Sequence, residues 1–88
     1  MLNEPKHIHL IGIGGTGLSA IAKVLLEQGH IVSGSDMQRS PLADAIEKAG
    51  ATVSVGHDAS NVQGAEVVIQ SSAIPSRNPE LIAAQQAG

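Results

Sequence analysis

Four glycines, Gly12, Gly14, Gly15 and Gly17, follow directly on an apolar run and precede an amphipathic one. The stretch reads Ile8-His9-Leu10-Ile11-Gly12-Ile13-Gly14-Gly15-Thr16-Gly17. The spacing Gly12-x-Gly14-x-x-Gly17 is that of a strand–turn–helix phosphate loop. Glycines let the backbone turn tightly and come close to a diphosphate. The helix that follows aims free N–H groups, and about half a positive charge, at that anion. Alone, so short a pattern is weak. Its context strengthens it: a strand pattern before, a helix pattern after, and an acid, Asp36, 19 residues beyond Gly17.

Around this turn, strand and helix patterns alternate. Residues 1–6 form a polar lead-in in which Pro5 disfavours helix. Residues 7–13 predict a strand buried on both faces. Within it His7 and His9 read as surface or strand-end histidines, with no carboxylate or third histidine at metal-ligand spacing nearby. A helix is expected over residues 17–28, because Leu18, Ile21, Ala22 and Leu25 fall at i, i+3, i+4 and i+7. Gly29 supplies its left-handed stop. Residues 30–35 form a second strand ending at Asp36. Ser40 is a good N-cap and Pro41 a good first residue for a second helix. Leu42, Ala45, Ile46 and Ala49 form its expected apolar stripe, and Gly50 closes it. Thr52 to Val55 alternates as a half-exposed edge strand does. Residues 56–64 read as a loop with a helical turn capped by Asp58. Residues 67–69 are a continuous apolar run, expected to be a buried strand. After the polar loop of residues 70–77, Asn78 and Pro79 open a last helix.

Strands alternating with helices imply a parallel sheet with right-handed crossovers. Strands one and four read as interior and strand three as an edge, which fits the order 3-2-1-4. The fold class is therefore α/β: a Rossmann-like sheet with helices on both faces. The fifth strand is absent, as in a domain cut from a longer protein, and residues 1–88 read as a single domain.

Composition narrows the function. With no Phe, Tyr or Trp, the core must be Ile, Val, Leu and Ala, and no ligand base can stack on a ring. The absence of Cys excludes disulfides, thiolate metal sites and a Cys nucleophile. A net charge of −3 gives no electrostatic case for nucleic acid or an anionic membrane. No apolar run approaches the ~20 residues of a membrane span. The N-terminal residues lack the charged start and apolar core of a signal peptide, so a cytoplasmic location is the expectation.

In an open α/β sheet the ligand sits beyond the carboxyl ends of the strands, at the switch between strands one and four. Three loops end there: residues 12–17, 33–40 and 70–78. The first is a diphosphate cradle. The second carries Asp36, which can accept hydrogen bonds from a ribose or a base N–H. The third offers Ser71, Ser72, Ala73 and Ile74, small residues whose hydroxyls and amides can face a ligand. His57 and Asn61 follow strand three and read as surface-loop residues. No catalytic constellation is visible: no GxxxxGK[ST] loop, no Ser–His–Asp set, no paired carboxylates. The residues alone point to a Rossmann-like domain binding a diphosphate nucleotide, and the glycines with Asp36 match NAD.

Three stretches carry a more specific likeness: His-Ile-His-Leu-Ile-Gly-Ile-Gly-Gly-Thr-Gly-Leu-Ser-Ala-Ile-Ala from His7, Ser-Gly-Ser-Asp from Ser33, and Ser-Ser-Ala-Ile-Pro-Ser-Arg-Asn-Pro-Glu from Ser71. Together they resemble the N-terminal domain of the bacterial Mur ligases of peptidoglycan synthesis, in the branch that acts on UDP-N-acetylmuramate and L-alanine. The resemblance covers nearly the whole chain; Leu18 stands where the family usually has Met. It implies a three-domain enzyme whose N-terminal domain binds the UDP part of UDP-N-acetylmuramate. A central domain would bind ATP and Mg2+, and a C-terminal domain would help place the amino acid. The muramyl carboxylate would be phosphorylated and the alanine amine would attack the acyl phosphate.

By the same resemblance Gly12, Ile13, Gly14, Gly15, Thr16 and Gly17 would hold the diphosphate through backbone amides. Asp36 would sit in the uridine pocket, lined by Ser35, Ser72, Ala73 and Ile74, with His57 a further candidate. No catalytic residue, metal ligand or cofactor of its own is implied for this domain, which is expected to be inactive as a ligase by itself. Two alternatives remain at this stage: a murein-recycling ligase that joins a tripeptide to the same nucleotide, and an NAD-binding module.

Overall fold

A computed structural model describes residues 4–71 and 74–87; the expected pocket residues Ser72 and Ala73 lie outside them. In chain order the elements are β1 (His7–Ile11), α1 (Thr16–Glu27), β2 (Ile31–Asp36), α2 (Pro41–Lys48), β3 (Thr52–Val55), a 3-10 turn (Ala59–Val62), β4 (Val67–Gln70) and α3 (Pro79–Ala87). The strands form one sheet in the order β3-β2-β1-β4, as the burial pattern of the sequence implies. All pairings are parallel: His7 lies opposite Ile31, Ile8 opposite Val67, and Ser33 opposite Thr52. Local signals set most boundaries. The Ser40 hydroxyl accepts the Ala43 N–H and Pro41 opens α2. Asp58 caps the 3-10 turn, and the Asn78 side chain accepts the Glu80 N–H at 2.9 Å. Gly29 and Gly50 follow α1 and α2 with φ of +90° and +125°.

Alternation along the strands gives the sheet two unlike faces. Ile8 and Leu10 of β1, Val32 of β2 and Val53 of β3 point one way. They pack with Ile13, Leu18, Ala22, Ala43 and Ile46 into an aliphatic core under α1 and α2. The intervening positions His9, Ser33 and Ser35 point the other way, toward α3 and the 3-10 turn. That face is largely polar.

Four expectations are corrected. β1 stops at Ile11, not at residue 13, because Gly12 turns the chain with φ +92°. Ile13 folds back beneath the turn and is fully buried. In α2 the buried pair is Ala43 and Ile46, while Leu42, Ala45 and Ala49 of the expected stripe are exposed. An eight-residue helix has barely two turns, and the Ser40–Pro41 entry fixes which side faces in. β4 lies at an edge with Val67 exposed, although its apolar run reads as interior. Lastly, His9 is not a surface residue but is 1% exposed.

Candidate functional site

The glycine turn is held from behind by β2. The Gly12 and Ile13 N–H groups both donate to the Ser35 carbonyl, at 2.7 and 3.0 Å, and the Gly15 N–H donates to the Gly12 carbonyl at 3.0 Å. The Gly14 N–H donates to Asp36 Oδ2 at 2.9 Å, while Asp36 Oδ1 accepts the Met37 N–H at 2.8 Å. Asp36 therefore braces the turn from the end of β2, as well as standing beside it. The amides of Gly12 to Gly15 thus already have acceptors within the fold. What remains open is the first turn of α1. Gly15 is its N-cap, without a side-chain cap, and no acid lies in its first turn. The N–H groups of Thr16 and Gly17 have no intrahelical acceptor, which makes this end a natural anion site.

A cleft of about 520 Å³ opens at the carboxyl ends of β1, β2 and β4. Among its lining residues are Gly12, Gly15, Asp36, Met37, His57, Ile74 and Arg77. Thr16 and Gly17 line a neighbouring hollow of about 370 Å³ that shares Gly15 and Ser71 with it. The structure thus brings together Gly12, Gly15, Asp36, His57 and Ile74, with Thr16 and Gly17 adjoining. Ser35 behaves differently from a lining residue: it is fully buried and supports the cleft wall from behind.

That wall rests on a buried network which sequence reasoning missed. Its centre is Glu80, fully buried in the first turn of α3. Glu80 Oε1 accepts from His9 Nε2 at 2.7 Å and from the Ser35 hydroxyl at 2.6 Å. Glu80 Oε2 accepts from His57 Nδ1 at 3.1 Å, the Asp58 N–H at 3.1 Å and Asn61 Nδ2 at 2.9 Å. Ser33 Oγ extends the network, lying 2.8 Å from both His9 Nδ1 and His7 Nε2. His57 and Asn61 are therefore half-buried partners of a carboxylate, not plain surface-loop residues. Two signals were present. His7, His9, Ser33 and Ser35 share one face at period two, and Asn78-Pro79 places Glu80 where a helix N-terminus favours an anion. Among the described residues, no group of His, Cys, Asp and Glu is arranged to hold a metal ion, and no helix is long and apolar enough to cross a membrane.

Burial pushes the Glu80 carboxyl up, but hydrogen bonds from Ser35, Asn61, His9 and the Asp58 amide outweigh it, holding the group below its ordinary 4.5. A depressed folded value means that ionised Glu80 contributes stability above pH 4.5, and that this is lost as pH falls through the folded value. Urea midpoints measured from about pH 6 to about pH 3 should therefore fall more steeply for the native chain than for Glu80→Gln. Parallel pH profiles would contradict it.

The profile described as "Mur ligase family, catalytic domain" matches residues 7–88. A UDP-N-acetylmuramate–L-alanine ligase of Burkholderia cenocepacia is 51% identical over 83 residues, covering 94% of this chain and 18% of that protein. One of Burkholderia mallei is 52% identical over 81 residues, 92% of this chain and 17% of the relative. The chain thus spans less than a fifth of these curated relatives. Among solved structures, the UDP-N-acetylmuramate–alanine ligase of Thermotoga maritima superposes with a TM-score of 0.89 at 33% identity, covering 93% of this chain and 19% of that one. A murein peptide ligase of Psychrobacter arcticus gives 0.81 at 30% identity, over 93% of this chain and 17% of its own.

Proposed function

The chain belongs to the Mur ligase family, and from that premise we propose that it supplies the nucleotide-binding N-terminal part of an ATP-dependent ligase that joins L-alanine to UDP-N-acetylmuramate. The observation that carries this reading is the cleft at the strand ends, with an uncapped helix start on one side and Asp36 and His57 on the other. The diphosphate lies against the Thr16 and Gly17 N–H groups, where Gly14 and Gly15 keep the backbone bare. The uridine occupies the larger cleft beside Asp36, His57 and Ile74. This part of the ligase holds no cofactor. ATP, Mg2+ and the amino acid belong to central and C-terminal domains of the kind the longer relatives have room for, in the cytoplasm. The L-alanine branch is favoured over tripeptide ligases by the identity of about half to the alanine ligases and by their higher structural likeness.

Ligand choice tests the reading. NAD and UDP offer the same diphosphate, so discrimination falls to the pocket around Asp36. Uracil presents an N–H and two carbonyls that short polar groups can satisfy. Adenine would leave such groups unpaired at about 1–3 kcal/mol each. Two mismatches imply a preference of roughly 30-fold or more for the uridine ligand. An NMR titration should show UDP or UDP-N-acetylmuramate moving the amides of Gly14 to Gly17, Asp36 and Ile74, with NAD doing little. If NAD moves them at the lower concentration, a dinucleotide-binding reading replaces this one.

Gly17→Val gives a second test. A Cβ at Gly17 meets no atom within 4 Å, so the fold tolerates it while a branched side chain crowds the anion's place. UDP affinity is expected to drop by about tenfold or more with circular dichroism unchanged. Undiminished affinity would remove the diphosphate from this helix start. Gly14→Val is a poorer probe, because its Cβ would lie 2.8 Å from Ser40 Oγ and 2.9 Å from Asp36 Oδ2.

A further inference from the structure

The hydrogen-bond order around Glu80 dictates which nitrogen of His57 carries the proton. An ionised carboxylate accepts hydrogen bonds and donates none. The Ser35 hydroxyl has one hydrogen and gives it to Glu80 Oε1 at 2.6 Å. The Ser35 oxygen, 2.9 Å from His57 Nδ1, is then an acceptor toward that nitrogen. Glu80 Oε2, 3.1 Å away, is a second acceptor for it. With acceptors as its only neighbours, Nδ1 must bear the hydrogen, and the neutral ring keeps its lone pair on Nε2. The carboxylate cannot turn aside, because His9 Nε2 at 2.7 Å and Asn61 Nδ2 at 2.9 Å hold its two oxygens in place. His57 itself lines the 520 Å³ cleft, and no hydrogen bond engages its Nε2 among the described residues.

We propose that Glu80 is a positioning residue that locks His57 in the Nδ1–H form, so that His57 Nε2 faces the cleft as a hydrogen-bond acceptor for the nucleoside part of the ligand. This rests on the reading that a nucleoside diphosphate enters the cleft. A lone pair attracts a ligand N–H or O–H and repels phosphate oxygens. In the Nδ1–H form His57 is no phosphate ligand despite its place beside the glycine turn, and the nucleotide is oriented with its nucleoside toward His57 and its diphosphate toward α1. The donor is either the imide N–H of the base or a ribose hydroxyl.

The test is a long-range proton–nitrogen correlation of the imidazole rings in the nitrogen-15-labelled chain, at about pH 8, where histidine is neutral. The free chain is expected to show His57 Nε2 unprotonated, far downfield of Nδ1, and UDP should move Nε2 upfield. Loss of that movement with CDP assigns the donor to the base; loss with 2′,3′-dideoxy-UDP assigns it to the ribose. A protonated Nε2 in the free chain overturns the proposal. So does a UDP titration that moves the Gly17 amide but leaves Nε2 still, an outcome under which nucleotide binding stands. A UDP titration that leaves Gly17 unmoved fails the binding reading and takes the ligand half of the proposal with it. A full Nε2 shift with both analogues also overturns the nucleoside assignment. Glu80→Gln should replace the single His57 ring form by a mixture and weaken UDP binding about tenfold. An unchanged His57 signature in that variant removes Glu80 from the positioning role. Should the variant not fold, the ring signals of the native chain decide.

Discussion

Replacing Gly34 with alanine is expected to cost about 3 kcal/mol of stability. Gly34 sits in β2 between Leu10 of β1 and Val53 of β3. An added Cβ would lie 2.5 Å from Ile13 Cδ1, 2.6 Å from Ile13 Cβ and 2.8 Å from the Leu10 carbonyl oxygen. The first atom ends a flexible side chain and can move. The other two cannot move without the glycine turn or the β1–β2 ladder, and the Ile13 N–H is itself fixed on the Ser35 carbonyl at 3.0 Å. Overpacking a core usually costs about 1–3 kcal/mol, and this site lies at the upper end because both obstacles are backbone-anchored. A chain of this length commands only about 4–13 kcal/mol in total. The urea midpoint should fall by about 1–3 M. A shift below about 0.3 M would show that the turn yields, and that the glycine is not required for close packing.

Glu80→Ala is the second large effect, and it acts by subtraction. The carboxylate leaves behind hydrogen-bond donors on His9, Ser35, His57, Asp58 and Asn61. Those of His57, Asp58 and Asn61 lie near enough to the surface to find water. His9 and Ser35 are at 1% and 0% exposure and cannot. His9 is orphaned and Ser35 is left with only His57 Nδ1 at 2.9 Å, which at about 1–3 kcal/mol for each buried donor puts the loss at up to about 6 kcal/mol, before any cavity is counted. Calorimetry should find the variant unfolded or strongly destabilised at neutral pH. His57→Ala removes a donor with water access and should cost about 1 kcal/mol or less. Equal losses in the two variants would mean that burial does not decide the cost.

The glycine turn, the cap residues Ser40, Asp58 and Asn78, and the strand order were legible because each follows from local chemistry or from a simple period. That Asp36 stands at the strand ends beside the glycine turn was legible from its distance beyond Gly17. Its hydrogen bond to the Gly14 N–H was not, since that depends on how closely β2 approaches the turn. By the family resemblance Ser35 would line the pocket. In the fold its side chain points away from the aliphatic core, into the polar face, where Glu80 claims its hydroxyl. The two histidines of β1 are read as bland because no partner stands near them in the sequence. Glu80 lies 71 residues from His9 and 45 from Ser35.

By itself, then, the sequence determined that strands and helices alternate, that the chain turns sharply at Gly12, and that a helix start faces outward there. Backbone conformation and side-chain period act over a few residues and need no partner. Only the tertiary structure decided that one sheet face is aliphatic and the other largely polar, that the amides of Gly12 and Ile13 are taken by Ser35, and that His57 is held by a buried carboxylate. Those outcomes rest on hydrogen bonds and close contacts between groups far apart along the chain, which exist only once the parallel strands have brought them together.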